Sequence, residues 1–303
     1  MKKFLLKALL FFACVVMMDL AFGQFFSFLR THAKGGSTAN CEYIANRATD
    51  DIIILGSSRA THHYVPQIIE DSLGISCYNC GEEGNGIVLA YGRFKMLTNR
   101  YKPKLIIYEM TPGYDYGTVD PNNKYLGYLR PYYAKDGVSE LFDDFDYELS
   151  PLKMQSKMYQ NTGKLLPNVI DNIIFRDNMR GYSPLDGKLN ANMVKKVEAK
   201  KCEEVDSVKL KYVEKIIIDA KCLNIPIIFM ISPSYGLDSD ISSYEPEIAL
   251  CEKHEIPYYN FINYRPIAVD ADCFQDVGHM NNYGAMIYTK MLVNEILKNK
   301  IIY

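Results

Sequence analysis

Asp51-Ile52-Ile53-Ile54-Leu55-Gly56-Ser57-Ser58-Arg59 is a short apolar run closed by a glycine and followed by two serines. Its β-branched content, bounded by turn residues, predicts a parallel strand buried on both faces and not a helix. Working outward, the same pattern recurs at 75–78, 105–109, 227–231 and 257–261. Between these runs, 66–73, 87–101, about 246–254 and about 282–299 read as helices. Gly74 lies just beyond the first and Pro103 stops the second. Leu210, Val213, Ile217 and Ala220 mark one further helical face. Five such strands alternating with helices predict an α/β fold, a parallel sheet of about five strands with helices on both faces. The rhythm is lost between about 112 and 204, a stretch rich in Tyr, Asp, Asn and Pro. It reads as an insertion over the carboxyl-terminal edge of the sheet in a single domain spanning 31–303.

Apolar residues make up 48% and charged residues 23% of the 303, the composition of a folded domain with a sizeable core. A formal net charge of −2 supplies no basic footprint for nucleic acid. Trp is absent and Tyr numbers 24, so any sugar-stacking surface must be built from Tyr and Phe. The tyrosines between Tyr114 and Tyr133 suit either that use or packing of the insertion. Lys2, Lys3 and Lys7 precede an apolar run from Ala8 to Met18, which Asp19 interrupts. Residues 1–30 therefore read as a signal peptide, with Ala21-Phe22-Gly23 as its cleavage site, or as a membrane anchor of about 20 residues. As an anchor it would carry an unusual intramembrane carboxylate. Either reading places the domain outside the cytoplasm, in the periplasm or at the cell surface. Without Cys14 the cysteines number seven, an odd set. Cys77 and Cys80 read as small buried thiols ahead of a disulfide or a redox or metal pair.

In open parallel sheets, sites gather beyond the carboxyl ends of the strands. Ser58, two residues past its strand on a glycine-initiated turn, can present its hydroxyl there. A serine hydroxyl needs a base to take its proton, usually His oriented by a carboxylate. Asp276-Val277-Gly278-His279 supplies that pair within one turn, just before the last helix, for which Asn281 is an N-cap. Arg59 suits either an anionic substrate or a structural carboxylate, with Glu109 at a strand end as one partner. His62 and His63, read as an extended segment, should point to opposite sides and make no metal site.

These blocks resemble the SGNH/GDSL hydrolase superfamily. Gly56-Ser57-Ser58-Arg59 matches its first block, Asn79-Cys80-Gly81-Glu82-Glu83-Gly84-Asn85 its second, and Asp276 with His279 its fifth. The resemblance covers most of the chain after Asp51 apart from the insertion. It implies a flavodoxin-like three-layer α/β/α sandwich, Ser58 as nucleophile, His279 as base and Asp276 as its orienting acid. It also implies the amides of Ser58 and Gly84 as oxyanion donors, Arg59 and Asn85 as candidate substrate contacts, and no cofactor. Two departures stand out. Ser57 replaces the usual Asp, and the segment after the third strand, Met110-Thr111-Pro112-Gly113-Tyr114-Asp115, lacks the Asn that normally completes the oxyanion site. Together with the N-terminal segment, the pattern looks closer to the branches resembling alginate O-acetyltransferases and the teichoic-acid D-alanylation factor. The activity so implied is esterase or O-acyl (acetyl) transfer on ester-linked acyl groups of a cell-envelope glycan, through an acyl-serine. A membrane O-acyltransferase is the implied partner. The alternative is a catalytically weak binding or assembly subunit of an envelope polysaccharide machine, which the two departures favour.

Overall fold

The computed structural model describes residues 1–118, 123–145, 151–174, 179–190, 204–237 and 239–302. Strands β1 (Ile52–Gly56), β2 (Cys77–Asn79), β3 (Leu105–Glu109), β4 (Ile227–Ile231) and β5 (Tyr258–Asn260) form one sheet in the order β2-β1-β3-β4-β5. Every neighbouring pair is parallel, with Ile52 opposite Leu105 and Gly56 opposite Glu109 in the central pair. The fold is a three-layer α/β/α sandwich in the flavodoxin-like strand order.

All residues of β1, β3 and β4 are buried, because both faces of the sheet are covered. Ile53, Leu55, Ile106, Tyr108 and Phe229 point to one face, whereas Ile52, Ile54, Leu105, Ile107 and Ile228 point to the other. Ahead of the sheet lie α1 (Lys2–Thr31) and α2 (Gly36–Asn46); α3 (Ser58–His63) and α4 (Pro66–Leu73) join β1 to β2, and α5 (Ile87–Thr98) leads to β3. Five short helices follow β3: α6 (Pro112–Asp115), α7 (Asn123–Leu126), α8 (Ser139–Phe145), α9 (Lys157–Asn161) and α10 (Leu165–Ile173). After α11 (Ser207–Cys222) and β4 come α12 (Glu245–Lys253), β5, α13 (Arg265–Ala268) and α14 (Asn282–Lys298).

Three segments depart from the sequence reading: β5, read with the doubly buried strands, is an edge strand that exposes Tyr258 and Asn260. The stretch from Thr31 to Asn46, to which the sequence reading assigns no element, contains α2, whose Cys41, Ile44 and Ala45 fall on one face and join the core beside α5. His62 and His63, read as extended, lie on the helix α3. The insertion contributes Tyr116, Tyr125, Leu129 and Phe142 to the buried interior, and the tyrosines between Tyr114 and Tyr133 all pack there. Residues 191–203 of that insertion lie outside the described residues. Cys77 and Cys80 are buried free thiols, and burial raises the pKa of both.

Candidate active site

The strand order reverses between β1 and β3, and ligands in such sheets bind outside the carboxyl ends at that switch point. The chain leaves β1 through Gly56 with φ of 141°, where an added Cβ would lie 2.7 Å from the Glu109 carbonyl oxygen. Only glycine makes that turn without strain. Ser57 then occupies the N-cap and Ser58 the first position of α3. Ser58 Oγ lies 2.8 Å from His279 Nε2, and His279 Nδ1 lies 3.0 Å from both carboxylate oxygens of Asp276. A carboxylate can only accept, so Nδ1 carries the proton and Nε2 offers its lone pair to the serine hydroxyl. Asp276 also accepts the amides of Gly278 at 2.8 Å and His279 at 2.9 Å. Burial pulls its pKa upward, but the imidazole and the two amides outweigh that and hold the carboxyl below its ordinary value. Asn281 caps α14, its Oδ1 accepting from the Gly284 amide.

Beneath Ser58 lies a buried polar floor. Arg59 Nε donates to Glu109 Oε1 at 2.9 Å, Nη1 to Ser234 Oγ at 2.8 Å and Nη2 to Ser232 Oγ at 3.0 Å. Glu109 also accepts from the Tyr64 hydroxyl, the Ser232 hydroxyl and the Ser232 amide. Arg59 as a substrate contact is thereby corrected: its guanidinium is buried and turned into the fold, where it neutralises Glu109. His63 Nδ1 donates to Ser232 Oγ at 2.7 Å, and its Nε2 accepts the Met280 amide at 3.0 Å. That second bond holds the residue next to His279. Burial first, then the positive charge of Arg59, drives the His63 pKa well below its ordinary value. His62 Nδ1 donates to the Ser183 carbonyl at 2.6 Å, its Nε2 lies 3.3 Å from Glu83, and its ring packs edge-on against His279. The His62 hydrogen bond holds the Glu83 carboxyl below its usual value. Among the described residues no group of three His, Cys, Asp or Glu is placed to hold a metal ion.

Gly84 has φ of 63°, and Ser58, as the first helical residue, has no carbonyl one turn back to bind. Among the described residues neither amide has an acceptor. Asn85 is buried, and its Nδ2 donates to the Glu83 carbonyl, which shapes the Gly84 turn. Ser57 donates its hydroxyl to Thr111 Oγ1 at 2.8 Å. The two positions that depart from the motif pattern thus face each other across the ends of β1 and β3. Ser232 escaped the sequence reading, and Thr111 and His63 were read there without these contacts. Thr111 could have been found by aligning strand ends, whereas nothing local marks Ser232.

A cavity of about 320 Å³ adjoins the site, lined by Thr61, Glu82, Glu83 and Ser183 on one side and by Asn40 and Asp171 on the other. No protein-family model matches the chain, and no curated protein matches it in sequence. Several solved structures resemble it. A catalytic mutant of an acetylxylan esterase from Geobacillus stearothermophilus aligns at 13% identity and a TM-score of 0.42, covering 82% of this chain and 94% of its own. A putative lipolytic protein of the G-D-S-L family from Desulfitobacterium hafniense aligns at 11% identity and 0.40, covering 80% and 98%. A GDSL-like lipase from Bacteroides thetaiotaomicron aligns at 11% identity and 0.37, covering 80% and 87%.

Proposed function

We propose that the chain is an extracytoplasmic serine-dependent acyl esterase or O-acyltransferase acting on ester-linked acyl groups of an envelope glycan. The observation that carries this reading is the unbroken line from Ser58 Oγ through His279 to Asp276. Ser58 Oγ attacks the acyl carbonyl as His279 Nε2 takes its proton. The tetrahedral oxyanion receives the Ser58 and Gly84 amides, and the Thr111 hydroxyl takes the place of the absent Asn. Because Thr111 Oγ1 accepts from Ser57, its own proton is free to point outward. Collapse expels the sugar alkoxide, which takes the proton from His279 and leaves an acyl-serine. Water or a second sugar hydroxyl, deprotonated by the same His279, then releases the acyl group as an acid or a new ester.

A fluorophosphonate probe tests the nucleophile in the full-length protein in detergent. Ser58 should be labelled, and Ser58→Ala should abolish both labelling and acetyl release from p-nitrophenyl acetate. Equal labelling of Ser58→Ala removes Ser58 from the mechanism. No labelling of the wild type returns the chain to the binding-subunit reading. Supplying an acetylated oligosaccharide with an unacetylated one separates hydrolysis, which liberates acetate, from transfer, which acetylates the acceptor.

A further inference from the structure

We propose that α1 stays attached as a membrane-spanning anchor and that α9 and α10 of the insertion rest on the outer surface of the bilayer beside it. This rests on the extracytoplasmic reading above and names the surface against which the site works.

The first observation is that the second half of α1 is built into the domain. Asp19 accepts from the Ser156 hydroxyl, the Lys157 amide at 2.9 Å and the Met158 amide at 3.2 Å, which are orphan donors at the start of α9. At Gly23 a Cβ would lie 2.5 Å from Lys157 Cβ, so the helices touch through backbone. Arg30 pairs with Glu42 and donates to Asn161, and the Leu29 carbonyl accepts from Asn172. Cleavage after Gly23 would leave the Lys157 and Met158 amides without Asp19 and uncover the Lys157 backbone. Asp19, the residue that makes this helix look poor as a span, is the residue that joins it to the domain.

The second observation is where the apolar surface goes. The first part of α1 is long and apolar enough to cross a membrane and has no burial inside the protein. Counted back from Asp19, where α1 meets the start of α9, about 17 helical residues, the short end of the range that crosses a hydrocarbon core, reach Lys3. The bilayer surface then falls at α9. There, Leu152 and Met158 are exposed beside the point where α1 leaves the domain. On α10, Leu166, Val169 and Ile173 recur at helical spacing and are exposed, Ile173 at 76%. The opposite side of that helix buries Asn168 and Asp171, which hold the backbone amide and hydroxyl of Thr38. A short helix with one apolar face outward and one polar face bonded inward, continuous with a spanning helix, matches an element seated at the headgroup boundary. Asp171 also lines the cavity next to Glu83. One layer of helix therefore separates the bilayer from the cavity beside Glu83 and Thr61.

The absence of Trp makes the test direct, since any introduced Trp is the sole reporter. Full-length Leu166→Trp and Ile173→Trp are placed in nanodiscs of brominated or ordinary phosphatidylcholine. Leu297→Trp, exposed at the end of α14 on the far side of the sheet, is the control. The expectation is a mass that retains residues 1–23, and at least twofold stronger quenching by brominated lipid at 166 and 173 than at 297. A mature chain beginning at Gln24 overturns the anchor. An intact, membrane-integral chain whose 166 and 173 reporters are quenched by acrylamide and not by brominated lipid overturns the docking of α10 alone. Fluorophosphonate labelling of the same samples reports on Ser58 independently, so loss of the catalytic reading is seen separately.

Discussion

The two walls of the candidate site are built differently. On the serine wall, Arg59, Glu109, Ser232 and His63 are buried and bonded to one another, and Ser58 stands on a strand end that this floor locks. On the base wall, the side chains of His279 and Asp276 are 31% and 54% exposed, and a short loop carries them between a 3-10 turn (Ala271–Cys273) and α14. One wall gets its precision from a satisfied polar interior, the other from a few hydrogen bonds at the surface. Damage to the first should therefore register as lost stability, and damage to the second as lost rate.

The largest expected effect tests the buried wall. Arg59→Met leaves Glu109 without its cation in a fully buried setting, a change that typically costs about 3–5 kcal/mol. Urea unfolding should show that loss, and a midpoint shift worth less than about 1 kcal/mol would mean that the Arg59–Glu109 pair adds little to the fold. Asp276→Asn tests the other wall. The amide can no longer fix the tautomer with Nδ1 protonated, so kcat on p-nitrophenyl acetate should fall by roughly 10²-fold. That is less than the ~10⁴ seen where the orienting carboxylate is buried. Stability should stay within about 0.5 kcal/mol, as for other exposed substitutions. Thr111→Val probes the seam between the walls. If its hydroxyl serves the oxyanion, kcat falls by about 10²-fold with KM unchanged; a change in KM alone makes it a ground-state contact.

The same contrast explains what the sequence could disclose. β1, β3 and β4 were legible because strands covered on both faces are apolar at nearly every position, Glu109 excepted, and β3 and β4 begin and end where the runs do. The Asp276–His279 pair was legible because its geometry is local, within one turn. The floor was not: Arg59 meets Ser232 and Ser234 across more than 170 residues, and serine carries no pattern that marks a guanidinium partner. The six residues of α3 are too few to show a helical period, so His62 and His63 looked extended. Asp19 looked like a costly charge because its partners lie in the insertion, 137 residues away at Ser156.

His63 joins the two walls, and pH should expose the joint. Its Nδ1–H is committed to Ser232 and its Nε2 lone pair to the Met280 amide, so the folded state has no place for a second proton. Burial, then Arg59, His279 and His62, all oppose protonation. The folded pKa lies below the unfolded value of 6.5, so between them the unfolded chain binds more protons. Stability from this group is complete above about pH 6.5 and is lost as the pH falls, by at most about 1.4 kcal/mol per unit. Urea midpoints from pH 7.5 to 5 should show that slope in the wild type and a shallower one in His63→Gln. If the slopes match, His63 is protonated in the fold, and Met280 and the neighbouring His279 are held by something other than its lone pair. If kcat of His63→Gln also falls while KM holds, the buried wall positions the base as well as the nucleophile, and the two walls work as one.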